Sequence, residues 1–185
     1  MSILDIRVLG DPILRNETTP VDEISADLRT LAKHMFETMY LAKGIGLAAP
    51  QVGRTERIAV VDVDDHPFVI INPEIVRADG KAKAEEGCLS IPDIYGEVER
   101  SAKVQLRALD LDGKEFELEA DELLARCLQH EIDHLHGKLF IDYLSVLKRR
   151  AALAKWTKAK DKYPGFIRKL ENDPTPAHEH PDEEM

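Results

Sequence analysis

The stretch His130-Glu131-Ile132-Asp133-His134 puts two imidazoles one helical turn apart with a carboxylate beside the first. That arrangement aims two nitrogen donors at one cation and keeps a base next to it, and hydrolysis by metal-activated water is the chemistry it suits. Read on through Gly137, the stretch resembles the front of a zinc-peptidase signature. The histidine that would complete that signature is replaced by Phe140. A catalytic centre of this kind takes three protein ligands and leaves one position for water, so one donor has still to be found.

Cys127 precedes His134 by seven residues, about 10 Å of helix at a rise of about 1.5 Å per residue, whereas two ligands of one tetrahedral ion sit only about 3.5 Å apart. It reads as a small buried packing residue. Downstream the chain turns basic after Leu147, and its first acidic residue there is Asp161. The donor is therefore sought upstream, where Cys88 follows a glycine that permits close backbone approach and precedes the short extended run Leu89-Ser90-Ile91-Pro92. A structural cysteine in a strand would read the same by itself. The vacant third position is what favours a ligand role.

These residues need elements to hold them. Ser25 reads as an N-cap, Leu28, Leu31, Met35 and Met39 recur at helical steps, and Gly44 is placed as a stop. Strands are expected at Arg57–Val63, Phe68–Asn72, Lys103–Leu109 and Glu115–Glu119, the last two joined through Asp112-Gly113. A second helix runs from Asp121 as cap to Gly137, with Leu123, Leu124, Cys127, Leu128, Ile132 and Leu135 on its apolar positions. Strands and helices do not alternate, which predicts an α+β fold with mixed or antiparallel sheets packed around the central motif-bearing helix.

The chain has 185 residues, two cysteines and a net charge of −10. One domain over residues 1–163 is expected, in a reducing, cytoplasmic compartment. No apolar run approaches a membrane span, and the charge argues against a general or sequence-specific nucleic-acid binder. The basic segment 144–163 reads as a third helix, either a solvated face or an anion-contacting one. Residues 164–185, acidic and proline-punctuated, read as a disordered tail that contains His178 and His180.

Gly44-Ile45-Gly46-Leu47-Ala48-Ala49-Pro50-Gln51, then Glu86-Gly87-Cys88-Leu89-Ser90, then Gln129-His130-Glu131-Ile132-Asp133-His134 closely resemble, in order and separation, the three motifs of peptide deformylases. The likeness extends over roughly residues 3–160. It implies that Cys88, His130 and His134 bind one divalent metal, with Fe²⁺ favoured and Zn²⁺, Ni²⁺ or Co²⁺ able to substitute, and that water takes the fourth position. Glu131 would be general base and then acid, and the Gln51 amide with the Leu89 N–H would face the oxyanion. The substrate would be the formylmethionyl end of a nascent peptide, and the products formate and a free amine.

The resemblance further implies substrate contacts from Gly44, Ile45, Gly46, Glu86 and Gly87, with Gly46 pairing in strand fashion. Ile45, Leu123, Cys127 and the His130 ring edge would line the methionine pocket. Glu86 is read as paired with Arg100, an ordinary surface ion pair being the alternative. Tyr95, Ala84 and Arg126 depart from common family residues, which bears on the groove and not on the reaction. A monomer is expected, and the resemblance adds ribosome contact through residues 144–163 as the alternative to a plain solvated face. A metallopeptidase cutting internal bonds and a closed, non-catalytic metal site are the competing readings; Cys88 weighs against the first and the lack of a fourth donor against the second.

Overall fold

The computed structural model describes residues 2–170. In chain order the elements are β1 (Ile6–Arg7), α1 (Ala26–Leu41), β2 (Gly46–Ala48), β3 (Ile58–Val63), β4 (His66–Asp79), β5 (Ala82–Cys88), β6 (Ile91–Arg100), β7 (Lys103–Leu109), β8 (Glu115–Asp121), α2 (Glu122–Leu135), α3 (Val146–Ala159) and β9 (Ile167–Arg168). They form a five-stranded sheet in the order β2-β3-β4-β7-β8 and the two-stranded ribbons β5-β6 and β1-β9. All pairings between these strands are antiparallel, which gives the α+β architecture expected.

The large sheet is covered on both faces, and β3 shows why its run of apolar residues is nearly unbroken. Side chains alternate across a strand, so Ile58 and Val60 pack with Leu28, Leu31, Met35 and Met39 of α1, while Ala59, Val61 and Val63 pack with Cys127, Leu128, Ile132 and Leu135 of α2. Each fully buried leucine, isoleucine or methionine contributes about 1.5–3 kcal/mol. The opposite side of α2 meets the β5-β6 ribbon, so this helix lies between the two sheets. A third apolar cluster joins β6 to α3 through Ile91, Ile94, Val98, Phe140, Leu144 and Trp156.

Several boundaries differ from the sequence reading for identifiable reasons. The Ser25 side chain accepts from the Leu28 N–H as expected, but the left-handed residue that closes α1 is Lys43 (φ 60°), with the Gly44 N–H donating to Met39 O. Asp121 occupies the cap position of α2 without a side-chain capping bond, because it is still paired to Lys103 in β8. The Asn-Pro pair at 72–73 does not end β4. Asn72 takes φ 49° within a register slip, its side chain bonded to both backbone groups of Val21, and the strand continues to Asp79.

The described fold continues past the expected boundary at residue 164. Tyr163 stacks on Trp156, and Ile167 and Arg168 pair with β1, so the chain through residue 168 belongs to the folded body. Residues 171–185, with His178 and His180, lie outside the described residues. Among the described residues, no helix is long and apolar enough to cross a membrane.

Candidate metal centre

On α2, His130 and His134 turn the same way, with their Nε2 atoms 3.1 Å apart. Cys88 Sγ reaches to 3.4 Å from His134 Nε2, and the three donors lie within 4.8 Å of one another, all buried. Cys88 arrives at the end of β5, beside a slip in the β5-β6 register that lets the ribbon turn toward the helix. Cys127 stays outside this cluster. Its thiol donates to Ile45 O at 3.6 Å, and burial pushes its pKa well up, as befits a packing residue that touches the 44–51 loop.

One histidine is oriented from behind. His130 Nδ1 lies 3.0 Å from Glu86 Oε1, and Glu86 also accepts from Arg100 at 2.6 and 2.9 Å and from Arg126 at 2.6 Å. Burial would raise the Glu86 carboxyl, but hydrogen bonds from His130 and Arg100 outweigh it and hold the pKa at about 2. An ionised Glu86 accepts from His130 Nδ1 and so turns the ring to present Nε2 toward His134 and the Cys88 side. Burial first, and the neighbouring His130 second, push the His134 pKa well below the usual histidine value. Two imidazoles and a cysteine sulfur with converging donor atoms are a set that suits a divalent ion, and the cluster fits one.

This also corrects the reading of Glu86 as a substrate contact. The residue is 0% exposed and both oxygens are committed to Arg100, Arg126 and His130. It is a buried ion pair and not a surface one. Arg126, which stood out only as a departure in the groove, continues from Glu86 to Val98 O and Ala82 O, and so clamps the ribbon to α2. Lying four residues before His130 on the same helical face, it could have been found from spacing. Arg100 extends the network to Asp133 at 2.8 Å, which accepts from Tyr143 at 2.7 Å, and the guanidinium sits 4.9 Å over the Tyr143 ring. No sequence signal linked Tyr143 to this network.

Glu131, next to His130, lies against Gly46 of β2. It is 0% exposed, and among the described residues neither carboxylate oxygen has a hydrogen-bond partner. Burial pushes its pKa well up, the Arg100 charge opposes this, and the Glu86 and Asp133 charges add to it. The Gly46 backbone is so close that a Cβ there would lie 2.5 Å from Glu131 Oε1. Gln51 is locked by its own carbonyl, which accepts from the Ala48 N–H at 2.9 Å, so that Nε2 points at Ser90 Oγ (3.1 Å) and Cys88 Sγ (3.7 Å). Ser90, unremarked in the sequence beyond its place after Cys88, is therefore the side chain that aims Gln51.

The 44–51 loop, the cysteine turn and the helix thus converge on one point, as their motifs implied. Gly44, Gly87 and the partly buried Ile45 lie along these segments, and Leu123 packs at the start of α2. Leu123, Ala84 and Arg126 line an open groove of about 610 Å³ between β5 and that helix end. Among the described residues the metal-type cluster holds three protein donors, which leaves coordination open as hydrolysis requires.

Comparison with known proteins agrees with this geometry. The family model described as polypeptide deformylase matches residues 3–150. A curated peptide deformylase from Alkalilimnicola ehrlichii is 54% identical, with 81% of this chain and 86% of that protein covered. One from Mesorhizobium japonicum is also 54% identical, over 90% of this chain and 99% of its own length. Among solved structures, a peptide deformylase from Legionella pneumophila superposes with a TM-score of 0.84 at 49% identity, covering 87% of this chain and 97% of that one. The enzyme from Synechococcus elongatus, solved in complex with actinonin, gives 0.80 at 46% identity, covering 83% and 86%. The chain belongs to the peptide deformylases, metal-dependent hydrolases that remove the formyl group from the N-terminus of newly made polypeptides.

Proposed function

We propose that formyl removal is carried out by Glu131, Gln51 and Leu89 around a divalent ion held by Cys88, His130 and His134. The observation that carries this reading is a buried carboxylate with no protein partner, set beside three converging metal-type donors. When bound, the ion supplies Lewis acidity to the formyl oxygen and makes water more acidic. Glu131 accepts a proton at its carboxylate from the water that attacks the formyl carbon. The Gln51 Nε2–H and the Leu89 N–H stabilise the charge that develops on the formyl oxygen, a contribution of about 2.7–4 kcal/mol per donor in comparable sites. As the carbon–nitrogen bond breaks, Glu131 returns the proton to the departing amine, leaving formate and a free N-terminus.

The peptide backbone pairs in strand fashion with Gly46 on the edge strand β2, with Gly44 and Gly87 beside it. Ile45, Leu123, Cys127 and the His130 ring edge receive the methionine side chain. Fe²⁺ is the working ion in this reading, and Zn²⁺, Ni²⁺ and Co²⁺ substitute, because a thiolate with two imidazoles accepts all four. Replacing Glu131→Gln is expected to keep the metal and abolish formate release from formylmethionyl peptides; formate release near the wild-type rate refutes the role. Anaerobic reconstitution with each ion in turn ranks them.

We further place the enzyme in the cytoplasm as a monomer that meets nascent chains at the ribosome through α3. The exposed Lys148, Arg149, Arg150 and Lys158 support phosphate contacts. Because Trp156 and β9 belong to the folded body, charge reversal at Arg150 and Lys158 tests this better than truncation. Ribosome sedimentation unchanged by that reversal removes the idea.

A further inference from the structure

Leu89 and Ser90 form the turn that follows Cys88, and what holds this turn lies far from it in sequence. Cys88 pairs with Ile91, so the turn is a two-residue hairpin loop. Such loops ordinarily take a positive φ at the first central residue, which matches the twist of the flanking strands. Neither Leu89 nor Ser90 has a positive φ, and the ladder slips between Glu86 and Cys88. Local backbone preference therefore does not set the orientation of the turn, and contacts from outside must do so.

Three such contacts are present. The Leu9 N–H donates to Ser90 O at 2.9 Å, Gln51 Nε2 donates to Ser90 Oγ at 3.1 Å, and Arg168 Nη1 donates to Leu89 O at 2.9 Å. The last is a charge-assisted bond from a side chain only 4% exposed. Arg168 is carried by β9, paired Arg168 to Ile6, with the Val8 N–H donating to Phe166 O just before it. It lies beyond residue 150, where the family match ends.

We propose that Arg168 is a positioning residue for formyl hydrolysis, acting through the Leu89 carbonyl to fix the direction of the Leu89 N–H. The Leu89 side chain is pinned in the core beside α1, so holding the Leu89–Ser90 peptide plane through its carbonyl limits rotation about the Leu89 backbone bonds and with it the swing of the N–H. The inference rests on the reading that Leu89 and Gln51 face the oxyanion. It makes the end of the chain part of the active-site scaffold, and β1-β9 the brace that joins them.

The test compares R168M, which keeps an apolar stem, and R168K, which keeps a charged donor, in steady-state formate release with metal content measured per chain. R168M is expected to lose about ten- to a hundredfold in kcat, with KM within about twofold and metal content unchanged, and R168K to recover part of the loss. A purely structural clamp predicts a lower melting temperature with wild-type kcat per loaded site, and that result overturns the proposal. If R168M does not fold, R168K decides: about a fivefold loss in kcat per loaded site supports the proposal, and no loss overturns it. Gln51→Ala in the same assay separates the two readings. A drop there with none in the Arg168 variants refutes only the role of Arg168, whereas wild-type kcat in Gln51→Ala removes the oxyanion reading and this inference with it.

Discussion

Gly46→Ala tests how tightly Glu131, the proposed general base, is held. The added Cβ would meet Glu131 Oε1 at 2.5 Å, Cδ at 2.8 Å and Cγ at 2.9 Å, where ordinary contact begins at 3.4 Å. The deficit at the nearest atom is about 0.9 Å, and close packing leaves little slack to absorb it, because Glu131 is 0% exposed and β2 is paired through Gly46 to Val61. A displacement of about 1 Å in a reacting group can cost about a hundredfold, or about 2.7 kcal/mol of barrier. Gly46 is outside the positive-φ residues, so backbone strain does not confuse the result. Formate release and metal content measured together are expected to show kcat down by about two orders of magnitude with the ion retained. If β2 yields instead of the carboxylate, KM rises while kcat holds. Wild-type kcat and KM together would refute the claimed contact.

Glu86→Gln removes the anion that Arg100, Arg126 and His130 share. It is expected to weaken metal binding about ten- to a hundredfold in chelator competition and to lower stability by about 3 kcal/mol in urea, since Arg126 is left buried without a counter-charge and Arg100 keeps only Asp133. Unchanged metal affinity would show that His130 does not need this orienting bond. Asp142 accepts from both Arg15 Nη atoms and from the Leu139 N–H; burial would raise its pKa, but these bonds hold it below the usual aspartate value. A depressed folded-state pKa means that its stabilisation is present above that usual value and is lost as pH falls through the lower one. Asp142→Asn should therefore lower the urea midpoint near neutral pH, by at most about 1 kcal/mol for this partly exposed pair, and the difference from wild type should vanish in acid. A pH-independent difference would contradict the assignment.

The helix that carries the histidines was readable because its signal is local. Histidines at i and i+4 and an apolar stripe both follow from the helical period, and β3, β7 and β8 announced themselves by apolar runs or by the Asp112-Gly113 turn. The β5-β6 ribbon was not readable in this way, since Ala82–Glu85 is exposed on β5 and Pro92 and Gly96 interrupt β6. Its stability comes from being clamped to α2 by Arg126 and Glu86, a pairing 40 residues apart. The strand β9 was hidden for a related reason. Two residues carry no period, and only their pairing with Ile6 and Arg7 makes them a strand.

Spacing by itself marked His130 and His134 as a candidate ligand pair and set Cys127 apart from them, because the rise of a helix is fixed regardless of context. The likeness of the three motifs then pointed to Cys88 and to formyl hydrolysis. Tertiary structure alone decided what surrounds those groups: that Glu86 lies behind His130 between two arginines, that Glu131 is sealed without a partner against Gly46, and that Arg168 reaches back to Leu89. These are long-range hydrogen bonds and contacts between segments that share no local pattern. Only chain closure in three dimensions brings such partners together, and no periodicity encodes them.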